Sequence, residues 1–324
     1  MGKIIRNEKI ITPTQYIEKL DESSLQSLID GRATEIVVPD GTEIIRPYAF
    51  YKSVNLKKIT IPNSVHLIGQ NLGTSGLDDG YVFSKCSNLE EVDLSDITYS
   101  KNQSYQGLQY LCYQCTKLNT FKFPINNTIT IISPRIFYDC NNLVNIELPN
   151  NITQIRDYAF SGCYLIPFTD LPVGLKMIGS SAFLACKSLA ITEIPSGVTS
   201  LESGAFQNCT SLTKLTLKGN ITKINYNVFS GCTNLTKFTF PNNTAVPTLS
   251  NVNAIPNGAN YTGQIAIPNS LYDTWTTATN WVSLIQAQWI RFIDSWDETI
   301  TVEGDYALKT DTDLADVRHL TPAS

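Results

Sequence analysis

The chain has 324 residues, of which 42% are hydrophobic, 16% are charged and 10% are aromatic. This hydrophobic share supports a continuous core and excludes intrinsic disorder. The net charge of −5 and the lack of a basic run exclude a nucleic-acid partner held by phosphate contacts. No apolar run reaches the roughly 18 residues that cross a bilayer, so no transmembrane segment is expected.

The first 30 residues differ from those that follow. Apolar residues recur at helical spacing within residues 12–30, which predicts a short helix. The polar residues from Asn7 to Lys9 interrupt the apolar core that a secretory signal needs, so we expect no signal peptide in the chain as given. Residues 1–30 are therefore predicted to form an N-terminal cap.

Residues 31–268 are dominated by an internal repeat. Five cysteines recur every 23 residues, and a phenylalanine lies three residues before each of them. The pairs are Phe137 and Cys140, Phe160 and Cys163, Phe183 and Cys186, Phe206 and Cys209, Phe229 and Cys232. Such a period predicts a solenoid of about ten stacked strands, because one coil buries its apolar edge only against a copy of itself.

One coil illustrates how each repeat folds. The alternation from Leu143 to Leu148 predicts a short strand with one buried face. Pro149 ends this strand because proline cannot donate a hydrogen bond to the sheet. The isoleucines of residues 152–155 then run back across the coil, and Phe160 closes it as a bulky apolar plug.

This pattern resembles the bacterial BspA-like leucine-rich-repeat family over about residues 31–270. It is carried by segments such as FYDCNNLVNIELPNNITQIRDYAF and FQNCTSLTKLTLKGNITKINYNVF, at residues 137–160 and 206–229. The resemblance implies a right-handed leucine-rich-repeat superhelix with a parallel β-sheet on one face, often an adhesin on bacterial or protist surfaces, without catalytic residues. The sequence departs from the pattern at two positions, where Lys218 replaces the proline and Ser53 replaces the first cysteine.

Two segments follow the repeats. All four tryptophans lie between residues 275 and 296, and Trp281 and Leu284 share one helical face. This cluster favours a Trp-rich cap of short helices over residues 269–296 more than it favours a sugar-binding platform. Residues 297–324 are polar and lack the repeat, which predicts a tail through which the chain attaches or assembles. The run EGDYALKTDTDLADV within the tail is similar to connecting segments of phage tail-fibre and baseplate proteins.

The residues that could carry chemistry are better explained by structure. Seven of the eight cysteines keep the repeat register and Cys112 fills a Phe slot, so we expect free, buried thiols instead of disulfides or a zinc site. Neither His66 nor His319 lies in a pattern typical of a catalytic triad. We predict no catalytic residue, no metal site and no cofactor, and the chain is not expected to be an enzyme.

Two surfaces are candidates for recognising a partner. On the strand face, outward side chains alternate with core residues, and the binding candidates are Glu91, Asp93, Glu147, Phe168, Asp170 and Glu193. Insertions at 71–81 and 95–110 break the period, and the second is rich in Tyr, Ser and Asn, as antibody loops are. Their candidates, predicted to share one ridge, are Tyr81, Tyr99, Tyr105 and Tyr110. The alternatives are that the strand face is an ordinary solvated surface and that the insertions are tolerated surface loops without a binding role.

These observations favour a non-enzymatic binding or adhesion module that recognises a protein or glycan on a cell surface. The chain would then act outside the cell or on its surface. The alternative is a phage virion protein, associated with the tail or fibre, that uses the solenoid for host attachment. The repeat family favours the first interpretation, whereas the missing signal peptide and the polar tail favour the second.

Overall fold

The computed structural model describes residues 4–6, 9–11, 31–69, 80–97, 108–125, 129–256, 263–286 and 290–294. A short antiparallel hairpin comes first, formed by β1 (Ile4–Arg6) and β2 (Lys9–Ile11). From residue 31 the chain winds as a solenoid of parallel strands. Successive coils add strands to two rows, which we call the front row and the back row.

The front row is the sheet that the repeat predicts. Its strands are β3 (Glu35–Val37), β5 (Lys58–Thr60), β7 (Glu91–Asp93), β8 (Thr120–Lys122), β10 (Asn145–Ile146), β13 (Glu193–Ile194), β15 (Lys214–Leu217), β17 (Lys237–Thr239), β19 (Gly263–Ile267) and β20 (Ile290–Asp294). They pair in parallel in two blocks of five, with the break between β10 and β13. Equivalent apolar residues face one another, as when Phe121 pairs with both Val92 and Ile146. The fold class predicted from the repeat is therefore confirmed.

The back row consists of two-residue strands on the returning arm of each coil. They are β4 (Ile44–Ile45), β6 (Leu67–Ile68), β9 (Ile131–Ile132), β11 (Gln154–Ile155), β12 (Met177–Ile178), β14 (Ser200–Leu201), β16 (Lys223–Ile224) and β18 (Thr248–Leu249). The sequence pattern predicts only one sheet. A second row forms because stacking sets each arm about 4.8 Å from its neighbours, which is the spacing of paired strands.

The core is built on a column of phenylalanine rings. Successive rings from Phe137 to Phe229 are fully buried and stack at centroid distances of 5.4 to 5.5 Å. Cys112 replaces phenylalanine in one coil, and the rings of Phe121 and Phe123 lie in contact there at 4.8 Å. Phe121 also packs edge-on against Phe137 at 4.7 Å. Larger strand residues therefore fill the volume that the small Cys112 side chain leaves.

The cysteines form a second column beside the rings. All eight are buried and none forms a disulfide bond, as the repeat register predicts. From Cys86 onward, each register cysteine donates its thiol hydrogen to a carbonyl oxygen of the preceding coil at 2.8 to 3.1 Å. Cys209, for example, donates to Phe183 at 3.0 Å. Their role thus includes a hydrogen bond between coils as well as the apolar packing expected.

The C-terminal end contains two helices, α1 (Tyr272–Thr277) and α2 (Trp281–Gln286), and 3-10 turns at Val252–Ala254 and Asn269–Leu271. Trp275 and Trp281 are buried, and both pack edge-on against Phe240 of the last described coils. After these helices, β20 pairs with β19 and extends the front row. The helix expected within 12–30 and the tail at 297–324 lie outside the described residues.

Candidate recognition surfaces

On the strand face, formed by the outward side chains of the front row, Glu91 and Asp93 flank a lysine of the next strand. Lys122 Nζ lies 3.3 Å from Glu91 Oε1 and 2.6 Å from Asp93 Oδ2. Partial burial disfavours the charged form of Asp93, but hydrogen bonds from Lys122 and Ser95 outweigh it and hold the pKa of that carboxyl below its ordinary value. Asp93 is therefore ionised at neutral pH and already paired within the protein.

The other acidic candidates on the strand face are more open to solvent. Glu147, Asp170 and Glu193 are all exposed. Glu193 Oε2 lies 2.5 Å from the Nζ of Lys218, the residue that stands where the repeat has proline. Exposed ion pairs of this kind contribute little to stability, about 0–1 kcal/mol. These three side chains are therefore free to exchange internal partners for a ligand.

The expectation that Phe168 projects from the strand face is wrong. Its ring is only 8% exposed and packs edge-on against Phe160, with centroids 5.5 Å apart. Pro167 precedes it, and residues 167–170 form no strand, because proline lacks the N–H that a sheet requires. The next coil buries Ile191 at the same position without a preceding proline. In both coils a threonine stands where earlier coils have an apolar residue, so the residue before it turns into the core while Asp170 stays outside.

The two insertions lie largely outside the described residues, which omit 70–79 and 98–107. Tyr99 and Tyr105 fall in the second gap, so their roles stay predictions. Tyr81 and Tyr110 are described, and their rings stack with centroids 4.3 Å apart and planes 10° apart. The structure thus brings together two of the four tyrosines predicted to share a ridge.

The pair belongs to a longer stack of side chains. Tyr48 lies on the other face of Tyr81, at 5.0 Å and 5°. The Arg135 guanidinium lies 5.5 Å from the ring centre of Tyr110 and 4.5 Å from that of Tyr158, and Nη1 donates to the Tyr110 hydroxyl at 3.1 Å. We call these five residues, Tyr48, Tyr81, Tyr110, Arg135 and Tyr158, the tyrosine stack.

Backbone geometry explains why the stack is in register. Each of its members occupies the position two residues before the Phe slot and has a left-handed φ, from 51° at Arg135 to 62° at Tyr48. In this conformation the N–H of each residue donates to the next coil, as from Tyr81 to the Gln109 carbonyl at 3.2 Å. Each turn therefore presents its side chain directly beside the one before.

Bulky residues are unusual in this conformation. A left-handed backbone destabilises a residue with a Cβ by about 1–2 kcal/mol. In later coils the same position holds Ser181, Gly204 and Asn227, and Gly and Asn adopt this conformation most readily. Ring stacking contributes about 0.5–1.5 kcal/mol per pair and offsets part of the strain. The N-terminal coils thus keep large side chains where small ones would fold with less strain.

A second row of tyrosines lies beside the stack, three residues further along each coil. Tyr51 packs edge-on against Tyr48 at 5.6 Å, and Tyr113 stacks on Tyr138 at 5.0 Å and 15°. Burial raises the pKa of the Tyr113 hydroxyl, and the nearby Tyr138 adds a smaller contribution to the rise. The phenols of Tyr113 and Tyr138, whose pKa values are both raised by burial, therefore remain neutral at physiological pH and can both donate and accept hydrogen bonds.

Sequence reasoning missed Tyr48, Arg135 and Tyr158. The insertions lengthen the first coils and hide the common position, since the spacings between members of the stack are unequal. A signal was present nonetheless. The motif of a tyrosine two residues before the plug recurs as Tyr-Ala-Phe at 48–50 and 158–160 and as Tyr-Val-Phe at 81–83.

The positions considered for metal or acid–base chemistry have structural roles where they are described. Within the described ranges, no three His, Cys, Asp or Glu side chains converge as a metal site would require. His66 Nδ1 lies 3.3 Å from the Ser64 carbonyl oxygen, and His319 is outside those ranges. Burial raises the pKa of the Cys112 thiol well above its ordinary value, with Cys115 adding to the shift. A nucleophilic thiolate is therefore disfavoured there.

The repeat matches a known family. The model of the BspA type leucine-rich repeat region matches residues 29–129 and 108–236, with six copies. The chain belongs to the BspA-type leucine-rich repeat family. Proteins of this family are typically found on bacterial cell surfaces and are generally binding modules without catalytic activity. No helix among the described residues is long and apolar enough to cross a membrane.

Several solved structures are similar to this chain at low identity, and no curated protein matches it. The pneumococcal vaccine antigen PcpA is 17% identical over 81% of this chain and 68% of its own, with a TM-score of 0.46. A leucine-rich cell surface protein from Faecalibacterium prausnitzii is 19% identical over 82% and 80%, with a TM-score of 0.39. A leucine-rich-repeat protein from Bacteroides ovatus is 20% identical over 82% and 84%, with a TM-score of 0.34. At these identities the likeness concerns the fold alone.

Proposed function

We propose that this chain is a non-catalytic adhesion module that acts outside the cell and binds a protein or glycan on a cell surface. The observation that carries the proposal is the tyrosine stack. Five successive coils hold bulky side chains in a left-handed conformation where later coils have Ser, Gly or Asn. Strained backbone of this kind is retained mainly where side-chain identity serves a function.

The proposed binding surface has two parts. The first is the tyrosine stack together with the insertions that lead into Tyr81 and Tyr110, and we propose that Tyr99 and Tyr105 extend it. Tyrosine provides a large contact area with little loss of side-chain entropy, and aromatic residues dominate the energetics of interfaces. The second part is the strand face, where the acidic side chains described above are the candidate contacts.

The virion alternative has no observation in its favour among the residues that the structure describes. The tail at 297–324, which suggested it, lies outside them. We keep attachment or assembly through that tail as a proposal compatible with either location. Catalysis is not proposed, because proteins of this family are generally binding modules without catalytic activity.

Adhesion can be measured with the purified chain on fluorescent beads, tested on a panel of cell types and on protein and glycan arrays. We expect saturable binding. Changing Tyr99, Tyr105 and Tyr110 together to Ser should reduce it at least tenfold, since interface hot spots contribute about 2 kcal/mol or more each. The parallel variant changes Glu91, Asp93, Glu147 and Glu193 to Gln or Asn.

A matched control is Tyr226→Ser, which removes a 55%-exposed tyrosine from a coil without the stack and should leave binding unchanged. Loss of binding only in the acidic variant would place the site on the strand face and reduce the loops to spacers. Absence of saturable binding to every cell and array would contradict an adhesion function.

A further inference from the structure

We propose that the tyrosine stack and the cations beside it form a docking site for an acidic polypeptide segment. This inference rests on the adhesion function proposed above and names the chemistry of its partner. Three observations carry it: cations lie against the rings, the ring faces are already covered, and the stack is straight and several coils long.

Basic side chains accompany the aromatic rings through these coils. Lys52 Nζ lies 5.4 Å from the ring centre of Tyr51, and Lys187 Nζ lies 4.7 Å from that of Tyr164. The Arg135 guanidinium lies between two rings of the stack. Lys85 donates its backbone N–H to the Tyr113 carbonyl at 2.7 Å, and its charge partly offsets the rise that burial causes in the pKa of the Tyr113 hydroxyl. In a chain whose net charge is −5, this edge concentrates positive charge.

The carboxylates on the same edge are engaged within the protein. Asp157 Oδ1 accepts the backbone N–H of Ser180 at 2.8 Å. Asp139 Oδ2 lies 3.5 Å from Gln114 Nε2. Among the described residues of this edge, four cations therefore lie near two carboxylates that already have partners, so charge complementarity favours an acidic ligand.

The stacking favours a polypeptide over a glycan. A sugar packs its C–H groups on an open aromatic face, but Tyr81 is covered by Tyr48 on one side and by Tyr110 on the other. Arg135 covers the remaining face of Tyr110. What the stack leaves for a partner is ring edges and the ammonium groups beside them, which suit the amide oxygens and carboxylates of a protein chain.

The length of the stack fits an extended segment. Its five members come from successive coils about 4.8 Å apart, so the stack spans about 20 Å. An extended chain advances about 3.3 Å per residue, and about six residues cover that distance. A short acidic strand or loop of the partner protein can therefore contact every coil of the stack at once.

The test compares two double variants of the full chain that lose the same charge. One is Lys52→Gln, Lys85→Gln beside the stack, and its matched control is Lys176→Gln, Lys223→Gln, two exposed lysines at the back row. Binding is measured by biolayer interferometry to three immobilised probes: a random Glu–Tyr copolymer, dextran sulfate and poly-L-lysine. Circular dichroism and melting temperature establish that both variants fold.

We expect the parent chain to bind the Glu–Tyr copolymer, the stack variant to bind it at least tenfold more weakly, and the control variant to match the parent. Added salt should weaken the same interaction. Any one of three results would overturn the proposal: equal losses of binding in both variants, stronger binding to dextran sulfate than to the copolymer, or no binding to the copolymer. In those cases, beads carrying the parent chain that still adhere to cells would leave the adhesion function standing.

Discussion

The buried cysteine contributes a hydrogen bond as well as volume. The carbonyl of Phe183 accepts the backbone N–H of Cys186 at 3.1 Å and the thiol of Cys209 at 3.0 Å. One acceptor therefore uses both lone pairs, and its second donor comes from the next coil. A small apolar side chain would fill the space but leave that lone pair without a donor, which explains why cysteine recurs at this position.

Stability should fall steeply at alkaline pH. Burial raises the pKa of six thiols, Cys112, Cys140, Cys163, Cys186, Cys209 and Cys232, and that of Cys232 to about 12. Because the folded values lie above the unfolded value of about 8.5, the stabilisation is complete below that pH and is lost as the pH rises through the folded values. Each thiol ionised only in the unfolded chain removes about 1.4 kcal/mol per pH unit.

Urea unfolding followed by circular dichroism from pH 7 to 10.5 measures this dependence. We expect the midpoint to drop sharply above about pH 8.5. A chain carrying Cys209→Ala and Cys232→Ala should start less stable at pH 7 but show a shallower decline, because two of the six groups are gone. A midpoint that stays constant to pH 10 would contradict the prediction, and so would recovery of far fewer than eight free thiols from the unfolded, unreduced chain.

At the scale of elements, the strands are too short to be stable singly, and each depends on its neighbours in the row. The end of the array therefore needs an element that covers the last coils. The helix α2 places Trp281 against Phe240 and Trp275, at 6.3 and 5.2 Å, and the indole N–H donates to the Pro247 carbonyl at 2.9 Å. Trp275 and Trp281 thus pack on the core of the last described coils, and the Trp-rich cap over residues 269–296 stays a prediction.

Truncating this side chain should destabilise the C-terminal coils first. We expect Trp281→Ala to lower the free energy of unfolding by about 3–5 kcal/mol through lost packing. Trp281→Phe keeps a ring but removes the donor, and we expect a smaller loss of about 1–3 kcal/mol, because the Pro247 carbonyl is left unsatisfied. Limited proteolysis should cut near residues 240–256 in the alanine variant. Unchanged stability in both variants would mean that α2 does not cap the array.

At the scale of the molecule, the fold was predictable because each coil repeats the same apolar positions, and the period alone determines what stacks on what. Local exceptions were less accessible. Phe168 turns inward where a threonine replaces the usual apolar residue, as Ile191 does in the next coil, and nothing in the period indicates which neighbour then becomes the core residue. Of the tyrosine stack only Tyr81 and Tyr110 were predicted. The insertions make the spacing of its members unequal, and the tyrosine that recurs two residues before the plug is the signal that could have identified Tyr48 and Tyr158.

The hydrogen bonds that join neighbouring coils run along the long axis of the array, so tension applied to its two ends opens them one coil after another. Each released coil of 23 residues lengthens the chain by about 75 Å, because an extended residue spans about 3.4 Å and one coil spacing is given up. Stretching single molecules in optical tweezers should produce a series of near-equal steps in the extension of the chain. A single unfolding step over the whole length would contradict this. A cell tethered through such a molecule would be held by a link that lengthens under load. Each opened coil of the cysteine column would expose one thiol, so the number of reactive thiols would report how many coils the force had opened.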